Sequence, residues 1–223
     1  MSLEDNTNET AQEALDNLVA GVMRFREDVY PQQRELFNKL AHEQKPRAMF
    51  ITCADSRILP ELITQSSPGD LFVTRNVGNI VPPYGVMNGG VSTAIEFAVM
   101  ALGVHHIIVC GHSDCGAMKA LVHPEGLERM PNVSAWLRHS HAAQRVAAES
   151  YPEAEPQDRV RIVALENIVA QIAHLRTHPS VASGISRGEI ALHGWFVDIH
   201  AGAILGLDGE TGRFVPLRDD RPL

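Results

Sequence analysis

The stretch Ala48-Met49-Phe50-Ile51-Thr52-Cys53-Ala54-Asp55-Ser56-Arg57 decides the fold of this chain. Its first five residues form a short, nearly continuous apolar run, which is typical of a parallel strand that is covered on both faces. Cys53 follows at the carboxyl end of that strand, where ligand sites collect in open α/β sheets. We therefore expect a functional site at this strand end.

Two further strands follow the same pattern downstream. Residues 71–74 and 106–110 are short apolar runs, and helices are predicted at residues 60–64, 89–102 and 116–121. Because strands alternate with helices, the sequence predicts a parallel sheet with right-handed crossovers. Cys53 and His112 then lie at carboxyl ends of strands, so the topology brings them together. Cys115 begins the next helix, whose N-terminus favours the thiolate form of a cysteine.

The N-terminal region predicts two helices outside this sheet. Residues 10–25 repeat apolar side chains at every third or fourth position, which indicates one apolar helical face. A second helix is expected to begin with Pro31 in its first turn and to direct Leu36, Phe37 and Leu40 inward. The apolar face of the first helix requires a partner.

The C-terminal half is expected to cover and extend the sheet. A helix is predicted at residues 134–148, and Asp158 is expected to cap a long helix that ends before His178-Pro179. The later elements are a strand at residues 190–198 and a hairpin of residues 203–207 and 213–215.

These elements predict an α/β fold with a mainly parallel central sheet, flanking helices and a C-terminal hairpin. We treat residues 1–223 as a single domain, because the length suits one domain with terminal extensions. Residues 1–45 are its N-terminal helical arm, and residues 46–217 are its α/β core.

Composition excludes several classes of function. The formal net charge of -8 argues against broad binding of nucleic acid, which depends on Lys and Arg neutralising phosphates. No apolar run approaches the roughly 18 residues of a membrane span, so we expect no membrane association. The chain has only three cysteines, an odd number, which does not suggest a disulfide framework. Its first residues are acidic and lack the basic and then apolar order of a secretory signal. We therefore expect reduced thiols and a cytoplasmic location.

The residues Cys53, His112 and Cys115 suit a divalent zinc ion. Three protein ligands leave one tetrahedral position open, which is typical of catalytic zinc, whereas structural zinc has four protein ligands. Water at such a position loses its proton near neutral pH, and the resulting hydroxide attacks an electrophile beside it. Asp55 is placed to accept a hydrogen bond from that hydroxide, and Arg57 to keep Asp55 ionised and off the metal.

Four motifs together resemble the beta-class carbonic anhydrases over about residues 30 to 217. They are Cys53-Ala54-Asp55-Ser56-Arg57, Arg75-Asn76-Val77-Gly78-Asn79, Gly111-His112-Ser113-Asp114-Cys115-Gly116 and Leu192-His193-Gly194-Trp195. The resemblance implies reversible hydration of carbon dioxide to bicarbonate, with zinc on Cys53, His112 and Cys115 and with Asp55-Arg57 as the catalytic dyad. It also implies a dimer, or a dimer of dimers, in which the N-terminal helices pack on the neighbouring subunit.

The resemblance is greater to one branch of that family than to the other. In one branch a glutamine, a phenylalanine and a tyrosine line the carbon dioxide pocket across the dimer interface, and Gln44, Phe72 and Phe97 stand at the matching positions. The other branch is inhibited by bicarbonate held by a tryptophan, an arginine and a tyrosine. Arg75 matches that arginine, but Phe50 and Val197 replace the other two. The sequence therefore predicts an enzyme that bicarbonate does not regulate.

Three alternatives remain open from the residues alone. A non-catalytic protein with structural zinc would use Asp55 as a permanent fourth ligand. A hydrolase of carbon disulfide, or of a similar small linear molecule, would use the same hydroxide. A redox protein is disfavoured, since Cys110 and Cys115 do not form a C-x-x-C pair, and Cys110 suits a buried apolar position.

Overall fold

A six-stranded mixed sheet forms the centre of the fold in this computed structural model, which describes residues 9–86 and 89–217. The strand order is β2-β1-β3-β4-β5-β6. The strands are β1 (Ala48–Cys53), β2 (Leu71–Asn76), β3 (His106–His112), β4 (Ala191–Asp198), β5 (Ala203–Leu207) and β6 (Phe214–Pro216). The first four in the order are parallel, and β5 and β6 continue antiparallel from β4. The predicted α/β class, the mainly parallel sheet and the C-terminal hairpin are confirmed.

Strands β1 and β3 lie side by side at the centre of the sheet. Every residue of β1 is buried, as are the last six of β3, which is why their sequences are continuous apolar runs rather than alternating ones. In register, Thr52 pairs with Cys110, and β1 ends one residue later at Cys53. Strand β3 runs on to His112, so both residues end parallel strands at the same edge of the sheet.

The described residues contain nine α-helices, two in the N-terminal region and seven in the part of the chain that forms the sheet. They are α1 (Ala11–Arg24), α2 (Arg34–Leu40), α3 (Pro60–Thr64), α4 (Gly90–Met100), α5 (Gly116–Val122), α6 (Pro131–Leu137), α7 (His141–Ser150), α8 (Pro156–Leu175) and α9 (Pro179–Ser186). In the part of the chain that the structure describes, no helix combines the length and apolar character needed to span a bilayer.

The long helix α8 packs directly on β3 and β4 at two glycines. A Cβ on Gly194 would lie 2.8 Å from Ile168 Cγ2, and one on Gly111 would lie 3.0 Å from Ile168 Cδ1. Because real Cβ atoms rarely come that close, the glycines permit the approach of the helix to the sheet. This packing builds the larger of two core clusters, and the smaller one lies around Phe50, Ile108 and Val197.

The chain divides into two compact units between Gln44 and Lys45. In the first unit, α1 begins at a capping box in which Thr10 and Glu13 exchange hydrogen bonds, as the predicted helix requires. Several apolar side chains of α1 are exposed, among them Leu18 at 70% and Val22 at 64%. These values agree with the expectation that this face requires a partner.

Two predictions of where a helix begins were wrong, and a proline in the first turn explains each of them. The helix expected at residues 134–148 is divided into α6 and α7 by a 3-10 turn at Arg138–Ser140, and α6 begins at Pro131. Asp158 does not cap α8, which begins at Pro156 after Glu155. The long helix α8 does end before His178-Pro179, at Leu175, as predicted, but the sequence analysis missed α9, which begins at Pro179. Proline is favoured in the first turn of a helix, so it marks a start as readily as an end.

The helix expected from Pro31 begins three residues later. A 3-10 turn at Tyr30–Gln33 carries the proline in its first turn and precedes α2. The rings of Phe25, Tyr30 and Phe37 contact one another there, with centroid separations of 5.4 to 6.3 Å. This aromatic cluster joins the residue that follows α1, the turn itself and α2.

Candidate metal centre

Three buried ligand atoms converge where β1, β3 and α5 meet. Cys53 ends β1, His112 ends β3, and Cys115 immediately precedes α5. Their sulfur and nitrogen atoms all lie within 4.8 Å of one another, and the two sulfurs are 3.9 Å apart. Asp114 has a left-handed φ of 60°, which turns the chain between His112 and Cys115, a conformation that Asp tolerates better than most residues. The residues predicted as ligands are brought together.

The imidazole of His112 is oriented so that one ring nitrogen offers its lone pair to the space between the three ligand atoms. Its Nδ1 lies 2.8 Å from the carbonyl oxygen of Ser113. A carbonyl only accepts, so Nδ1 carries the proton and Nε2 carries the lone pair. Nε2 is buried without a hydrogen-bond partner among the described residues. A buried nitrogen that lacks a partner is costly, and coordination of a metal ion satisfies it.

The two thiols are coupled to each other by a hydrogen bond. Donation from the Cys115 thiol to Cys53 lowers the pKa of Cys53 well below its usual range, although burial opposes this shift. The same bond, together with burial, raises the pKa of Cys115, contrary to the lowering expected from its place before a helix. One proton is therefore shared between the two sulfurs. A divalent ion that displaced this proton would leave both sulfurs as thiolates. Two thiolates and a neutral imidazole form a donor set that fits zinc.

Asp55 lies beside this group and is held by Arg57 through both carboxylate oxygens. Arg57 Nε donates to Oδ1 at 2.9 Å, and Nη2 donates to Oδ2 at 2.8 Å. The pKa of Asp55 falls well below its usual range, chiefly because of these hydrogen bonds from the guanidinium. Oδ2 also lies 3.8 Å from His112 Nε2, so the carboxylate faces the ligand group while it is bound to Arg57.

Arg57 has a second acidic partner, which sequence reasoning missed. Its Nη1 donates to Asp114 Oδ2 at 3.2 Å, and its Nη2 donates to the carbonyl oxygen of Asp114 at 3.3 Å. Asp114 in turn forms an ion pair with Lys119. The guanidinium is thus bound on both sides, although these side chains are partly exposed and the exposed ion pairs contribute little to stability.

Arg75 also has a structural contact that sequence reasoning missed. Its Nε donates to the carbonyl oxygen of Cys53 at 3.1 Å, and its Nη2 donates to that of Asp55 at 2.5 Å. The sequence offered Arg75 only as the match to a regulatory arginine. In the structure it holds the backbone on both sides of Ala54, and so fixes the turn that carries the first thiol and the carboxylate.

Two of the three residues predicted for a substrate pocket, both phenylalanines, are in contact. The rings of Phe72 on β2 and Phe97 on α4 have centroids 6.0 Å apart, and Phe97 is 46% exposed. Gln44 is exposed and belongs to the first compact unit, whereas both phenylalanines belong to the second. Phe50 is fully buried, with its ring edge to face with Trp195 at 5.8 Å, and Val197 is buried beside them.

Comparisons with known proteins identify the family. A family model described as carbonic anhydrase matches residues 48–204. The solved structure of the beta-carbonic anhydrase CcaA superposes with a TM-score of 0.89 at 45% identity, over 92% of this chain and 100% of that one. This chain belongs to the beta-class carbonic anhydrases. It is accordingly a carbonate dehydratase that hydrates carbon dioxide, with zinc as its cofactor.

Relatives from several bacteria agree with this membership of the carbonic anhydrases. The carbonic anhydrase of Pseudomonas aeruginosa is 48% identical over 203 residues, which cover 91% of this chain and 92% of that protein. Carbonic anhydrase 1 of Escherichia coli O157:H7 has the same identity and coverage. A structure from Sordaria macrospora, described as one of two tetrameric beta-carbonic anhydrases, has a TM-score of 0.77 at 29% identity, over 91% of this chain and 98% of that one. This membership favours carbon dioxide over carbon disulfide as the substrate, and a catalytic over a structural zinc.

Proposed function

We propose that Cys53, His112 and Cys115 hold the zinc ion of this carbonic anhydrase and that Asp55 and Arg57 are its catalytic dyad. The observation that carries the proposal is the Asp55 carboxylate, which lies against the ligand group with both oxygens bound by Arg57. Zinc with three protein ligands acidifies water enough to supply a nucleophile at neutral pH.

The dyad orients the nucleophile and protects the open position. The ionised Asp55 carboxylate accepts a hydrogen bond from the nucleophile. This bond fixes the orientation of the nucleophile, so that its lone pair is directed toward carbon dioxide. Arg57 keeps Asp55 ionised and, because it binds both oxygens, holds the carboxylate away from the fourth coordination position. Asp55 therefore acts as a hydrogen-bond acceptor and not as a permanent fourth ligand.

We further propose that Phe72 and Phe97 form the apolar wall against which carbon dioxide binds, and Gln44 stays a prediction from the family resemblance, in which a glutamine lines this pocket across the dimer interface. The contact between the two rings and the exposure of Phe97 support an open apolar surface there. Carbon dioxide is linear and has no net dipole, so apolar rings suit it better than charged groups do. Phe97 keeps the ring of the family's tyrosine without its hydroxyl.

Replacing Asp55 tests the dyad directly. Asp55→Asn keeps the shape but removes the negative charge, so kcat for carbon dioxide hydration should fall by about 10² to 10⁴, the range of positioned proton-accepting groups. Stopped-flow hydration assays measure the rate, and the zinc content of the same samples should equal that of the wild type.

The matched control is Asp70→Asn, which changes an aspartate that is also paired with an arginine, Arg47, at 3.1 Å. Its kcat should be unchanged. A hydration rate for Asp55→Asn near that of the wild type would remove Asp55 from the mechanism, and loss of zinc would make it a ligand instead.

We also propose that bicarbonate acts on this enzyme only as a product. Phe50 packs against Trp195, and Val197 is buried beside them, so neither offers the polar groups that would hold a bicarbonate ion. Arg75 is bound to two backbone carbonyls. Initial hydration rates at fixed pH should decline hyperbolically as bicarbonate rises. A sigmoidal decline with a Hill coefficient clearly above one would contradict this proposal.

Self-association through α1 is a further part of the proposed function. The exposed apolar face of that helix supports it, as does similarity to structures described as tetrameric. Leu18→Glu should lower the mass measured by sedimentation equilibrium, because it places a charge on that face. Ala20→Glu, on the opposite face of the same helix, should leave the mass unchanged. Equal masses for wild type and Leu18→Glu would place the interface elsewhere.

Two expectations from the sequence stay predictions. The division between Gln44 and Lys45 supports an arm that ends near residue 45, and we propose that arm and core act together as one catalytic domain. We also propose a cytoplasmic location, which the use of the cysteines supports: two of the three are proposed zinc ligands, and Cys110 is buried, with its pKa raised to about 12 by that burial.

A further inference from the structure

A line of hydrogen bonds leads from the side chain of Trp136 to the sulfur of Cys53. The indole Nε1 of Trp136 donates to the carbonyl oxygen of Val77 at 2.8 Å. The N–H of Gly78 belongs to the same peptide unit, and it donates to Cys53 Sγ at 3.4 Å. Because a peptide unit is planar, the bond at its oxygen fixes the direction of its N–H.

The next peptide unit is fixed from the other side. The carbonyl oxygen of Gly78 accepts a hydrogen bond from Asn167 Nδ2 at 3.0 Å. Asn167 lies on α8 and is fully buried, and its Oδ1 accepts from Gln171 Nε2 at 2.8 Å. The carbonyls of Val77 and of Gly78 itself are therefore held by side chains from α6 and α8, which are distant in sequence.

Gly78 has a conformation that this arrangement requires. Its φ is +84°, and a Cβ there would lie 3.0 Å from Ala117 Cβ and 3.1 Å from Met118 Cε. Other residues adopt this φ only with strain, and the space is already filled by the helix that follows Cys115. The backbone thus approaches the ligand group where only glycine fits.

We propose that Trp136 and Asn167 are positioning residues for the Gly78 N–H: Trp136, on the carbonyl of the same amide, aims and polarises it toward the Cys53 thiolate, and Asn167 fixes the orientation of the next amide, so that together they tune how much charge this sulfur gives to the metal. The inference rests on the proposed role of Cys53 as a zinc ligand. A hydrogen bond to an amide oxygen strengthens the N–H of the same amide as a donor. A donor to a ligand thiolate lowers the charge on sulfur and leaves the metal more electrophilic, as outer partners of metal ligands do.

Trp136→Phe tests the proposal, because it keeps an aromatic ring and removes only the N–H and part of the ring. The readout is the sulfur-to-cobalt charge-transfer band of the full chain loaded with Co²⁺ in place of zinc. With a weaker hydrogen bond the thiolate holds its electrons less tightly, so the band should move to longer wavelength. Asn167→Asp, which keeps the shape but replaces the donor with an acceptor, should move it in the same direction.

The matched control is Trp195→Phe. Trp195 is the other tryptophan of the chain, and its indole nitrogen is buried without a hydrogen-bond partner among the described residues. Removing that N–H should leave the band where it is in the wild type, even if thermal unfolding shifts for both tryptophan variants.

The outcomes separate this inference from the function on which it rests. If the wild type shows the charge-transfer band and Trp136→Phe shows it at the same wavelength, the positioning role is overturned while the ligand set stands. If the wild type loaded with Co²⁺ shows no such band, Cys53 and Cys115 are not ligands, and both proposals are overturned. A shift of equal size in Trp195→Phe would assign the change to general loosening of the fold.

Discussion

Two thiols and an imidazole, buried within 4.8 Å of one another, are the constraint on which the rest of this structure depends. An ion satisfies all three atoms of such a group, whereas a proton shared between the sulfurs leaves the imidazole nitrogen without a partner among the described residues. The parallel order of β1 and β3 places Cys53 and His112 at one edge of the sheet. The left-handed turn at Asp114 then returns the chain so that Cys115 reaches the same point.

Around this group, backbone atoms are held by polar side chains from distant elements. Arg75 binds the carbonyls of Cys53 and Asp55, and Asn167 binds that of Gly78. Farther along the same loop, Gln171 accepts from the Val81 N–H, and His178 contacts the carbonyl of Pro82. Loops that surround a metal centre must be rigid if ligand distances are to persist, and these bonds supply that rigidity; those of Asn167, Gln171 and His178 are buried, and Arg75 adds a positive charge beside Cys53 and Asp55.

The sequence predicted those parts of the site that have a local pattern. Cys53 follows a buried strand, His112 follows another, and parallel topology alone brings them together. It did not predict Arg75, Asp114 or Trp136 as supports, because each acts on a residue distant in sequence, either at a backbone carbonyl or at one side chain. Hydrogen bonds of this kind produce no characteristic residue spacing or periodicity in the sequence. The helix α9 was missed for a different reason, since Pro179 is compatible with both the end and the beginning of a helix.

The central claim is that two sulfurs and one imidazole from separate elements bind one zinc ion. X-ray absorption at the zinc edge of the purified chain, combined with its zinc content, measures this most directly. The account predicts one zinc per chain with two sulfurs at about 2.3 Å and the remaining ligands, nitrogen and oxygen, at about 2.0 to 2.1 Å. A chain purified without zinc and unable to bind it, or a zinc shell with fewer than two sulfurs, would contradict the account.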